Sequence, residues 1–303
     1  MEKIQKPIRG WVRVLLIIIP FALFVVGSQI LASLVLGVKM SRQQTPSTFQ
    51  STVFELFMLA GTIAVVSIFR RWIDKESFRS LGFGMKNFRK EAETGFWLGV
   101  LMISAGFLLL LVLREIKWDG INPDVNSIFL SLVLFFAVAF LEELFFRGYI
   151  LGNLMLSMNR WIALLVSSLV FTVVHMPNAH FTPIGFAAIF LAGLLLGTPF
   201  IYTRSLWLPI SLHFSWNFFQ GTIFGFSVSG NKEYALVTQS RPADTMLNGG
   251  EFGFEGSLLA VIFLILAIAV LTIYYRKKEK LITPVVQPVI PEIPVEPETS
   301  IQS

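Results

Sequence analysis

"FLEELFFRGY", Phe140 to Tyr149, sets two glutamates and an arginine inside an apolar stretch long enough to cross a bilayer. An ionisable group at that depth is expensive, and it persists only where something compensates it or uses it. The chain around it has 303 residues, 54% hydrophobic and 14% charged, with a mean hydropathy of +0.71. Soluble domains carry about 25% charged residues, so the composition points to a membrane protein. There is no cysteine, which excludes disulfides, thiolate nucleophiles and cysteine-ligated metals. The sequence pI near 9.5 reflects basic residues beside the apolar segments. That placement argues for membrane orientation, and no nucleic-acid partner is expected.

Outward from this stretch, eight apolar segments are long enough to span or nearly span a bilayer: 11–38, 53–69, 95–113, 127–150, 161–176, 184–201, 206–228 and 257–275. The expected fold is an all-α, polytopic transmembrane helix bundle. The fifth segment is short and stops at Pro177. The first is too long for a signal-peptide core and reads as a retained anchor. With both termini in the cytoplasm, the cytoplasmic regions hold 18 of the 24 Lys and Arg residues. The outside loops 39–52, 114–126 and 229–256 hold the other 6. That bias fixes the expected orientation, with an even number of spans. Four regions follow: three N-terminal helices with a basic cytoplasmic loop (1–126), a helical core (127–228), an outside loop and last helix (229–276), and a tail (277–303). The proline-rich end of that tail reads as extended and disordered. The plasma membrane is the expected location.

Three short polar patterns interrupt the apolar segments: "EELFFR" at 142–147, "FTVVH" at 171–175 and "HFSWN" at 213–217. On a helix, residues four apart share a face and neighbours diverge by about 100°. Glu143 and Arg147 therefore stack as a local ion pair, which also suits an arginine marking the cytoplasmic end of span four. Glu142 points elsewhere and has Phe146 four residues on, so it is a spare carboxylate. The midpoint of 142 and 175 falls in the polar turn "SMNR" at 157–160. An antiparallel hairpin about that turn puts Glu142 and His175 at one depth, roughly 25 Å from it at 1.5 Å per residue. His213 and Asn217 share a face of span seven at a similar depth. One carboxylate, two imidazoles and a carboxamide at one level describe a polar cavity with acid–base capacity. Gly193 and Gly197 in "GLLLG" form a small-residue face for helix packing. Ser167 and Ser168 read as satisfied by backbone carbonyls.

The order EExxxR, FxxxH, HxxxN in successive membrane segments resembles the CAAX-protease and bacteriocin-processing (CPBP) family of intramembrane endopeptidases, which includes the type II CAAX prenyl proteases. The resemblance covers residues 127–222 and rests on Glu142, Glu143, Arg147, Phe171, His175, His213 and Asn217. It implies that Glu142 and His175 activate water, and that His213 and Asn217 stabilise the oxyanion. It also implies a peptide or lipid-modified protein as substrate, reached here through a cytoplasm-facing cavity, with membrane lipids as surroundings. No cofactor is favoured, although Glu142, His175 and His213 offer three ligands to a divalent zinc. Intramembrane carboxylates and imidazoles equally mark a proton-coupled transporter. A catalytically silent immunity or scaffold protein is the third reading.

Overall fold

The structure, a computed structural model, describes residues 8–38 and 46–282. Among the described residues the chain folds into eight principal helices. They are α1 Gly10–Leu36, α2 Thr48–Asp74, α3 Phe88–Val112, α4 Val125–Leu154, α5 Arg160–His175, α6 Pro183–Thr203, α7 Trp207–Phe218 and α8 Leu258–Ile282. Each falls on one of the eight expected segments. Six are long and apolar enough to cross a membrane; α5 and α7 have 16 and 12 residues.

Local chemistry sets several of these boundaries. Ser47 and Gln50 form a capping box that starts α2, satisfying two backbone donors reciprocally. Thr182 caps α6 by accepting from the Gly185 backbone, with Pro183 at the first helical position. Gly37 ends α1 at φ 63°, donating to Leu34 and Ser33 carbonyls.

Three features differ from the sequence expectation. α2, α4 and α7 each run into π-helical turns, at Arg70–Asp74, Glu143–Leu151 and Phe219–Ile223. Within the expected all-α fold, two of the outside loops pair as a short antiparallel sheet, β1 Lys117–Ile121 with β2 Val237–Ser240, with a register shift between Trp118 and Gly120. Finally, α8 continues to Ile282, so the first residues of the expected tail are helical. The rest of that tail, 283–303, lies outside the described residues, as do 1–7 and 39–45.

The two described ends of the chain lie on one face. Arg160 at the start of α5 pairs with Glu279 near the end of α8 at 2.8 Å, and the Trp11 backbone donates to Ser157 Oγ. The basic loops 70–94 and 147–160 share this face. The apolar interior forms two large clusters. One joins Val14, Val66, Leu144, Phe171 and Phe200 from α1, α2, α4, α5 and α6. The other joins Ile103, Leu195, Trp216, Phe254 and Leu264 from α3, α6, α7, α8 and the loop before α8. The polar patterns lie between them.

Candidate active site

The π-helical stretch begins at Glu143, one residue after α4 stops being an α-helix. Breaks of this kind are frequent at functional sites because they shift the register of side chains that follow. Glu143 and Arg147 keep their mutual contact through the break, Nη1 to Oε1 at 2.7 Å. Both are buried, Glu143 fully and Arg147 at 1% exposure. The arginine therefore does not mark a helix end at the membrane surface. Its Nη2 donates to the Gly193 carbonyl at 3.4 Å, and its guanidinium lies 4.3 Å from the Phe171 ring centroid. Gly193 also lets α6 pack closely on α5, since a Cβ there would stand 2.8 Å from Ser168 Cβ. Ser167 Oγ donates to the Phe146 carbonyl, as expected, whereas Ser168 Oγ is buried without a partner.

Glu143 does more than pair with Arg147. Its Oε1 also meets His213 Nδ1 at 2.9 Å, tying α4 to α7. The neighbouring Glu142 turns to the other end of the same imidazole. Its Oε2 is 3.9 Å from His213 Nε2 and 3.8 Å from His175 Nε2. That oxygen is buried and makes no hydrogen bond. His175 Nδ1 lies 2.7 Å from the Phe171 carbonyl, which can only accept, so Nδ1 carries the proton and Nε2 presents a lone pair in the neutral ring. Phe171 is thus the spacer of the site, 4.4 Å from the His175 ring and 6.5 Å from the His213 ring, with Arg147 on its face. Asn217, 4% exposed and one turn beyond His213, lines the same cavity. All six expected site residues gather around one centre, Glu142 and His175 at one level as the hairpin argument required.

This cavity has a volume of about 1350 Å³. Beyond the motif residues, Gln50, Ser51 and Glu55 of α2, Asn178 after α5, and Ser229, Asn231, Glu233 and Glu255 of the loop before α8 line it. Every loop residue in that lining belongs to the basic-poor face. None comes from the loops 70–94, 147–160 or 202–206. The loop lining thus lies on the face opposite the described chain ends.

Glu55, Glu233 and Glu255 were not picked out by sequence reading. Glu55 left a signal, a lone carboxylate in the apolar "STVFELF". Glu233 and Glu255 left none, because they sit in a loop that looks merely polar. Burial pushes the Glu255 carboxyl up, against two hydrogen bonds that Ser229 donates to Oε2 at 2.9 and 2.6 Å. Burial likewise raises Glu233, against the bond donated by Ser51 Oγ to its Oε1 at 2.9 Å.

Bonds of about 2.0–2.2 Å in a tetrahedral zinc site separate neighbouring ligand atoms by roughly 3.3–3.6 Å, and here the gaps are slightly wider, 3.8 and 3.9 Å. Among the described residues no three His, Cys, Asp or Glu side chains form a metal-holding group.

Residues 124–219 match the family model described as type II CAAX prenyl endopeptidase Rce1-like. That segment runs from the cap of α4 to the π turn after α7, about a third of the chain, and includes all seven motif residues. The match bears out the resemblance carried by the three patterns. No curated protein and no solved structure gives a significant match. Apolar helices and family together make this an integral, multi-pass membrane protein. Glu55, Glu233 and Glu255 lie outside the matched segment.

Proposed function

We propose that the protein is an intramembrane endopeptidase that cleaves a membrane-associated or lipid-modified peptide by direct attack of water. The observation that carries this reading is Glu142 Oε2, without a hydrogen-bond partner and 3.8 and 3.9 Å from His175 Nε2 and His213 Nε2 in the cavity lining. Polar atoms about 3.8 Å apart are too far for a direct hydrogen bond and well spaced for one water between them. Such a water donates one proton toward Glu142 and the other toward the His175 lone pair, leaving its own lone pairs free for a carbonyl carbon.

On attack, the water proton passes to Glu142, the carbonyl electron pair moves to oxygen, and a tetrahedral oxyanion forms. Collapse breaks the C–N bond, and Glu142 returns the proton to the leaving amine. Asn217 Nδ2 offers one donor to the oxyanion. His213 offers a second when protonated, since its Nδ1–H is already directed at Glu143. Charge balance favours that form: Glu142, Glu143 and Arg147 carry one net negative charge, which an imidazolium neutralises. Each such donor is worth about 3–4 kcal/mol in a water-poor site.

A library of internally quenched peptides, with and without a chelator, tests the reading on purified protein. Cleavage unaffected by chelation supports it. Chelator-sensitive cleavage moves the site to a metal mechanism, and proton-driven uptake by proteoliposomes without cleavage supports a transporter instead.

A further inference from the structure

We propose that the loop between α2 and α3 registers α4 against α7, and that Phe83 within it is a positioning residue for the contact of Glu143 with His213. Its effect on turnover rests on the endopeptidase reading; its effect on that contact does not.

The site joins two helix pairs, each closed by its own contacts. Thr52 Oγ1 of α2 donates to the Leu130 carbonyl of α4 at 3.2 Å, so the helix carrying Glu142 and Glu143 packs on α2. α3 packs on α7 nearly backbone to backbone. A Cβ at Gly99 would stand 2.9 Å from the Leu212 carbonyl oxygen and 3.0 Å from Trp216 N. His213 and Asn217 therefore follow α3. The segment linking α2 to α3 bridges the two pairs, and it inserts between them. A single 3-10 turn, Phe78–Leu81, leads into Gly82 at φ 131°, whose carbonyl accepts from the Leu206 backbone at 3.0 Å just before α7. Only glycine suits that place, since a Cβ would stand 2.7 Å from Leu206 Cγ and 3.1 Å from Leu206 N. Leu81 is buried, and its carbonyl oxygen would be 3.3 Å from a Cβ on Gly148 of α4. Phe83 is the middle ring of a stack, 5.3 Å from Phe78 on one side and 5.3 Å from Phe140 of α4 on the other. Its edge meets Trp207 of α7 at 5.5 Å. Trp207 Nε1 donates to the Gly84 carbonyl at 2.9 Å, and Phe88 of α3 meets the same indole at 4.6 Å. Phe83 thus touches α4 two residues before Glu142 and α7 six residues before His213. Close-packed side chains pass displacement on to their neighbours. A shift of about 1 Å at reacting groups costs on the order of 10²-fold in rate.

The chain has three histidines, so isotopic labelling of histidine nitrogen gives a magnetic-resonance spectrum simple enough to assign. His213→Gln identifies the low-field signal of the Nδ1–H that Glu143 holds. In Phe83→Ala that signal should broaden or vanish, and kcat for peptide cleavage should fall about 10–100-fold with KM within about twofold. Phe83→Leu, which restores most of the lost volume, should keep the signal and recover to within about threefold of the unsubstituted rate. Should Phe83→Ala not fold, Trp207→Phe keeps a ring in place and removes only the donor to Gly84. It should weaken the same signal and lower kcat about threefold. An unchanged signal in Phe83→Ala, or in Trp207→Phe where Phe83→Ala does not fold, overturns the proposal whatever happens to kcat. If no peptide is cleaved while the signal still depends on Phe83, the endopeptidase reading fails and the spacer survives.

Discussion

Two buried carboxylates hold helices together in this protein, and one of them sits beside the large central cavity. At the basic face, Asp74 ends the π turn of α2 and meets Arg13 of α1 at 3.3 Å and Arg70 at 2.9 Å, with Asn153 of α4 at 3.5 Å. In the middle, Glu143 meets Arg147 and His213. Both use arginine to make a buried charge tolerable. At Asp74 two guanidiniums face one carboxylate, and no imidazole is present. At Glu143 an imidazole replaces the second guanidinium, and an adjacent glutamate lacks a hydrogen-bond partner. The first cluster is a clip of three helices. The second is a clip whose far side can move a proton.

The comparison can be broken at four places, beginning with the largest effect. Arg147→Leu leaves Glu143 buried with only His213, and should cost about 3–5 kcal/mol of stability, seen as a lowered midpoint in detergent unfolding. Asn217→Ala should leave that midpoint unchanged and lower kcat by about 10²–10³-fold in peptide cleavage. Asp74→Asn should cost about 1–3 kcal/mol by weakening two charge-assisted bonds, with activity per folded molecule retained. A loss of turnover there beyond the loss of folded protein would make the two clusters alike.

The smallest effect concerns pH. Glu255 has its carboxyl raised above the usual carboxylate value by burial, so the folded state holds its proton more tightly than the unfolded chain does. Its ionisation therefore costs stability as pH rises from the unfolded value, about 4.5, to the higher folded value. Glu255→Gln should raise the unfolding midpoint at pH 7 and lose that gain as pH falls below about 4. A constant difference across that window contradicts the assignment.

Much of the bundle was legible in the sequence because apolar length reports spans directly. The level of Glu142 with His175 was legible too, since an antiparallel hairpin is symmetric about its turn. The link from Glu143 to His213 was not. It depends on how α4 and α7 are registered across 70 residues of chain, which local spacing does not encode. The π turns were hidden because a change from 4-residue to 5-residue bonding has no compositional mark. The strands "KWDGI" and "VTQS" are too short and polar to announce pairing. Glu55 was visible and passed over. Which loops line the cavity became clear only once the lining residues could be named together.

The central claim is a division of labour between adjacent glutamates, measured most directly by determining kcat/KM and unfolding midpoint together for Glu142→Gln and Glu143→Gln. The account predicts that the first variant loses about 10²–10⁴-fold in kcat/KM at an unchanged midpoint, while the second loses both activity and stability. Hydrolysis persisting in Glu142→Gln, or a midpoint that falls as far there as in Glu143→Gln, would contradict it.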